Sequence, residues 1–160
     1  MRLNGSCACG AVSFSVETPA PLPYCRCYCP DCRKTSGGGG FTAWMVALAE
    51  TLQIEGEENI AVYAHECPDG RDSVDGGGRR FCKHCGSHLW FFDPRWPRDL
   101  HPFASAIDTP LPVPVKTVDY YTRHKASWVP LPEGDAHEIC EDAYTVGMID
   151  WHKQNGFYEG

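Results

Sequence analysis

Hydrophobic and polar positions first alternate, with a period of two, near the start of the chain. Val12, Phe14 and Val16 are interleaved with Ser13, Ser15 and Glu17, which predicts a strand with one face buried. The run Thr-Pro-Ala-Pro-Leu-Pro over 18–23 ends it, because proline cannot donate to a ladder. Residues 24–27 predict a short extended run and 30–35 one helical turn opening on Pro30, closed by the glycines 37–40. Residues 41–48 are apolar without alternation, as in a strand buried on both faces. Residues 52–56 and 60–64 predict two strands about the turn at 55–59. Residues 89–92, Leu-Trp-Phe-Phe, predict an apolar core strand, and 103–107 another. Pro112 and Pro114 confine 111–118 to a sheet edge, while 65–78 and 119–134 carry the residues of loops and turns. At Glu138 the period changes: Ile139, Ala143, Val146 and Ile149 recur at helical spacing up to Gly156, so a helix is expected over about 138–156, weakened at Gly147. The pattern as a whole is that of a mainly β protein with one C-terminal helix.

The cysteines change the picture from architecture to chemistry. Cys25, Cys27, Cys29 and Cys32 fall within eight residues, a density no hydrophobic core requires. Cys29-Pro-Asp-Cys32 has the spacing that lets two sulfurs converge on one ion at about 2.3 Å, and Cys27 can supply a third. The reading adopted is a zinc held by Cys27, Cys29 and Cys32 with one position open, as in working zinc sites. Strand alternation puts Cys25 on the same face, so spacing alone also allows a closed four-thiolate site, and a redox dithiol of Cys29 and Cys32 is a third reading. A second grouping joins Cys7 and Cys9, in the turn Gly5-Ser-Cys-Ala-Cys-Gly10, to Cys82-Lys-His-Cys85. Those four thiolates make a closed set that would clip the N-terminal strand to the middle of the chain. Gly86 after the second pair suits the positive φ of a tight knuckle. His84 and His88 are read as surface residues, and Cys67 and Cys140 as spare thiols, Cys140 on the buried side of the helix. The run 36–40, Ser-Gly-Gly-Gly-Gly, reads by itself as a turn, though its N–H groups can form an anion nest.

Composition excludes several classes of function. At 160 residues the chain is one domain, 1–160, able to bury about 70% of its unfolded surface without staples. Ten cysteines in that length, about 6%, fall below the density of a disulfide scaffold. The first residues hold no apolar run of signal-peptide type and no segment is apolar enough to span a membrane, so a cytoplasmic protein is expected, with its clustered cysteines as ligands. A net charge of -7 argues against a nucleic-acid partner.

The motifs together resemble the glutathione-dependent formaldehyde-activating enzyme family, which includes centromere protein V domains. The matching pieces are Gly5-Ser-Cys-x-Cys-Gly10 followed by Val12 and Phe14, Cys27-x-Cys29-x-x-Cys32-Arg33-Lys34 with Ser36-Gly37, and Phe81-Cys82-x-x-Cys85-Gly86. Ala106-Ile-Asp108, a Trp128 segment and Trp151-His152-Lys153-x-x-Gly156 agree more loosely. The resemblance implies a tent-like fold of zinc-bound antiparallel sheets. It implies a structural zinc on Cys7, Cys9, Cys82 and Cys85 and a catalytic zinc on Cys27, Cys29 and Cys32, with Cys25 a bystander. The family often has His between the first two thiols of the second set, where this chain has Tyr28.

The type reaction joins glutathione to formaldehyde, giving S-hydroxymethylglutathione, so the resemblance implies a carbon–sulfur lyase of the S-(hydroxymethyl)glutathione synthase kind. The partners expected are a small thiol such as glutathione and a small aldehyde. The open zinc position would lower the pKa of the thiol for attack on the carbonyl. Arg33, Lys34, Ser36 and Gly37 are the expected holders of a glutathione carboxylate. The rival from another class is a zinc-stabilised interaction module without catalysis.

Overall fold

The fold is described from a computed structural model, over residues 1–35, 38–64 and 75–157. In chain order its elements are β1 (Arg2–Ser6), β2 (Ser13–Glu17), β3 (Tyr24–Cys27), α1 (Pro30–Thr35), β4 (Thr42–Trp44), β5 (Ala47–Leu48), β6 (Gln53–Glu55), β7 (Ile60–Tyr63), β8 (Gly78–Cys82), β9 (His88–Phe92), β10 (Asp99–Pro102), β11 (Thr117–Tyr120), β12 (His137–Ile139) and α2 (Met148–Gln154). They form three sheets of order β1-β2-β6, β5-β10-β9-β8-β7 and β12-β11-β3-β4.

Alternation in β2 buries Phe14 and Val16, and its partner β1 buries Leu3. These side chains pack with Leu89, Trp90 and Leu100 of the second sheet to form the main core. Phe14 and Trp90 meet edge to face, ring centroids 5.1 Å apart. Gly5 is needed on β1 because a Cβ there would lie 2.4 Å from the Ala106 carbonyl and 2.5 Å from the Phe14 ring. That close approach lets Gly5 bridge to Ile107.

The first two sheets are antiparallel, whereas the third is mixed: β11 runs parallel to both β3 and β12. The apolar run 41–48 is not one strand. It splits into β4 in the third sheet and β5 in the second, with Met45 and Val46 buried at the crossover. It reads as apolar on both faces because it joins two sheets. Residues 103–107 form a 3₁₀ turn, Ala104–Ala106, in place of the expected strand.

The C-terminal helix is shorter than 138–156. Glu138 and Ile139 belong to β12, paired with Val118 and Asp119, and the helix starts at Met148 after Gly147. Cys140 therefore follows a strand rather than lying on a helix, its N–H donating to the Asp119 carbonyl at 2.7 Å. Gly156, at φ +74°, ends the helix as expected. Met148, Ile149 and Trp151 pack on Cys25 and Val118, so α2 covers the third sheet. Among the described residues no helix is long and apolar enough to cross a membrane.

Candidate metal centres and the cavity beside them

Two turns bring the first set together. Cys7 and Cys9 lie between β1 and β2, Cys82 ends β8 and Cys85 lies in the turn to β9; the four sulfurs are all within 4.8 Å of one another. Cys7 Sγ is 3.5 Å from Cys9 Sγ, and Cys9 Sγ is 3.7 Å from Cys82 Sγ. A tetrahedron with metal–sulfur bonds of about 2.3 Å has edges of about 3.8 Å, so the set fits zinc. The second turn is closed by the Gly86 N–H donating to the Cys82 carbonyl at 2.8 Å, with Gly86 at φ +74°. Ser87 ties the turns together: its Oγ accepts from the Ala8 N–H at 3.0 Å and lies 3.3 Å from Cys85 Sγ. The Ser87 hydroxyl, then its N–H, holds the Cys85 thiol down to about 5, which favours the thiolate form that binds metal.

The second set is local. Cys27 ends β3, Cys29 precedes α1 and Cys32 lies within it; their sulfurs are also within 4.8 Å of one another, and all three residues are buried. Burial alone would raise all three thiols, and it holds Cys27 well above the usual range. At Cys32 that cost is outweighed by hydrogen bonds from the Cys27 and Cys29 thiols and by the Arg79 guanidinium, which hold it well below the usual range. Arg79 Nη2 donates to Cys32 Sγ at 2.9 Å. Three convergent thiols with a counter-cation beside them are a donor set that fits zinc and leaves its fourth position to another ligand.

Cys25 stands apart. Its Sγ is 3.3 Å from Met148 Sδ, facing α2 rather than the converged sulfurs. Among the described residues every cysteine is a free thiol; Cys67, Ser36 and Gly37 lie outside the described residues. Arg33 and Lys34 sit on α1, Arg33 half-buried and Lys34 exposed, and neither lines the cavity described next. Tyr28, between Cys27 and Cys29 in the chain, is fully buried, and its hydroxyl donates to Asp119 Oδ1 at 2.6 Å. Asp119 also takes Arg26 Nη2 at 2.9 Å and the Thr117 hydroxyl at 2.7 Å. This network fixes β3 to β11.

A cavity of about 430 Å³ opens beside Cys27 and Cys32. Its walls include Trp44, Phe91, Phe103 and Tyr120, and the segment 143–148 leading into α2. Tyr120 Oη accepts from Trp44 Nε1 at 2.9 Å and makes a hydrogen bond with Cys27. His101, on β10, is buried in the wall against Trp44, ring centroids 4.4 Å apart. Its Nδ1 has no hydrogen-bond partner among the described residues. Burial pushes its pKa down to about 4, against the pull of Asp93, so the ring is neutral at pH 7. Arg79, His101 and Tyr120 were not singled out from the sequence. Arg79 reads there as one charge in the run leading into the knuckle, and His101 and Tyr120 lie in stretches without clear alternation.

Residues 2–114 match the family described as glutathione-dependent formaldehyde-activating enzyme. The chain belongs to that family. A Halomonas elongata protein, provisionally named a glutathione-dependent formaldehyde-activating enzyme, is 46% identical over 161 aligned residues, covering 100% of both chains. The crystal structure of a Rhodobacter sphaeroides protein superposes with a TM-score of 0.50 at 24% identity, covering 68% of this chain and 91% of that one, which shows a shared fold. The family match spans both cysteine sets but ends before β11, so Tyr120 and the 143–148 wall lie beyond it.

Proposed function

We propose that the protein is a zinc-dependent carbon–sulfur lyase of the S-(hydroxymethyl)glutathione synthase kind, joining glutathione to formaldehyde or another small aldehyde. In this reading Cys7, Cys9, Cys82 and Cys85 hold a structural zinc, and Cys27, Cys29 and Cys32 hold a catalytic one. The observation that carries it is that Cys27 and Cys32 of the three-thiol set line a cavity of about 430 Å³, within the size range of small-molecule sites. A purely structural module has no use for such a space beside an incomplete ligand set. Free thiols throughout the described residues suit a reducing compartment, which supports a cytoplasmic location.

A zinc ion on the three thiolates supplies, when bound, the positive charge that lowers the pKa of a thiol presented beside it. The chain's own groups do the remainder. Trp44, Phe91 and Phe103 give the cavity an apolar wall. His101, neutral and with Nδ1 unengaged, lines the same cavity. With its pKa held down to about 4 it is too weak a base to keep a thiol proton, so its proposed role is to relay that proton straight to the developing alkoxide. The carbon–sulfur bond forms as the sulfur attacks the aldehyde carbon, the carbonyl π pair moves to oxygen, and that oxygen takes the relayed proton. Arg33, Lys34, Ser36 and Gly37 are proposed to hold a carboxylate on the part of glutathione that extends past the cavity.

The experiment is adduct formation from glutathione and formaldehyde, followed by NMR with zinc-loaded protein. A rate above the spontaneous one is expected. Cys32→Ala should keep the fold and one metal equivalent while returning the rate to background. A wild-type rate equal to the uncatalysed reaction rejects the proposed chemistry.

A further inference from the structure

Arg79 reaches the three-thiol set from the second sheet, whereas Cys27, Cys29 and Cys32 all arise from β3 and the segment that follows it. Only 3% of its surface is exposed. Among the described residues its guanidinium makes one hydrogen bond to the set, Nη2 to Cys32 Sγ at 2.9 Å, while Nε and Nη1 are buried without a partner. The rings of Phe103 and Phe91 flank it, their centroids 5.5 and 5.9 Å from its Cζ, and His88 is close enough to feel its charge. A guanidinium so poorly hydrogen-bonded is tolerated in an apolar wall only if it faces net negative charge, aided by the ring faces.

Formal charge shows what that guanidinium does. Three thiolates on a divalent ion carry one negative charge, and a fourth thiolate makes two. Buried negative charge of that size is costly unless compensated. Arg79 removes one unit whatever the fourth ligand is, but the benefit is larger when that ligand is itself anionic. We propose that Arg79 is a positioning residue of the second centre, balancing the three-thiolate set so that the fourth position accepts an anionic thiolate in preference to a neutral ligand. The inference rests on the reaction proposed above and adds to it the reason a thiolate, rather than water, is retained there.

The test uses ligand binding rather than turnover. Full-length protein carrying cobalt at the second centre is titrated with thiocyanate, an anion, and with imidazole, a neutral donor, following the visible cobalt absorption. Arg79→Met fits between the two rings and keeps no charge; Arg79→Gln keeps a hydrogen bond and no charge; Arg79→Lys keeps the charge. Both neutral variants are expected to weaken thiocyanate by about tenfold or more and to leave imidazole within about twofold, with Arg79→Lys close to wild type. Unchanged thiocyanate affinity in whichever neutral variant retains its metals overturns the proposal, as does an equal loss of both ligands. Failure of glutathione–formaldehyde turnover in the wild type would be a separate result, rejecting the reaction while leaving this selectivity measurable.

Discussion

Asp99 is a carboxylate in an unfavourable place. It lies in the cavity wall on β10, only 7% exposed, and burial, with Asp150 adding repulsion, pushes its pKa from 3.8 up to about 6. The protonated form is therefore favoured by the folded chain more than by the unfolded one. The stability this gives is fully present below pH about 4 and is lost as pH rises through about 6, because the folded chain must then hold a buried anion. Two pKa units correspond to about 3 kcal/mol at most. Asp99→Asn should therefore stabilise the protein by up to about that amount at pH 7, with the gain fading towards pH 4. Urea unfolding of the two proteins across this range measures it. An Asn variant equally destabilised at both pH values would mean that the carboxyl is needed for a contact and is not a burden.

At the scale of elements, legibility followed from where each strand's two faces point. β2 was readable because one face meets the core and the other meets solvent. The knuckle was readable because two thiols and Gly86 leave few alternatives. β10 was not, although all four of its residues are buried, because Asp-Leu-His-Pro looks polar in sequence and its polar members face the cavity. β11 reads as a loop margin for a related reason: Asp119 is acceptable in a central strand only because Arg26, Tyr28 and Thr117 satisfy it from other positions. Its parallel neighbours, β3 and β12, lie far off in sequence on one side and past a long turn on the other. The two thiol sets were legible as residue types at set spacings, whereas Arg79 and His101 owe their proposed roles to tertiary placement alone. The same holds for α2, whose true length depends on β12 claiming Ile139. Because α2 seals Cys25 and one wall of the cavity through Met148, Met148→Ala is expected to cost about 2–4 kcal/mol in denaturant unfolding. It should also make Cys25 faster to alkylate with iodoacetamide. A cost below about 1 kcal/mol with Cys25 still protected would mean that the helix does not hold the wall in place.

The whole molecule depends on its two thiol sets unequally. The first set joins sulfurs 73 residues apart, Cys9 and Cys82, and so ties the first sheet to the second. The second set spans only the end of β3 and α1, a stretch already held by the Asp119 network and by the Thr42 hydroxyl donating to the Cys32 carbonyl at 2.9 Å. A metal that closes a long loop contributes folding free energy that the unfolded chain cannot recover, whereas one that closes a short, prefolded loop contributes much less. The three-thiol set also leaves a position at which a chelator can attack directly. At equilibrium with increasing chelator, the zinc-loaded protein should lose one metal equivalent with its far-UV circular dichroism unchanged and its proposed activity gone. The second equivalent should leave only together with the secondary structure. A chromogenic zinc indicator read alongside circular dichroism separates the two steps. Release of both equivalents in one transition with unfolding would place the second set, too, among the supports of the fold, and its open geometry would then need a reason other than catalysis.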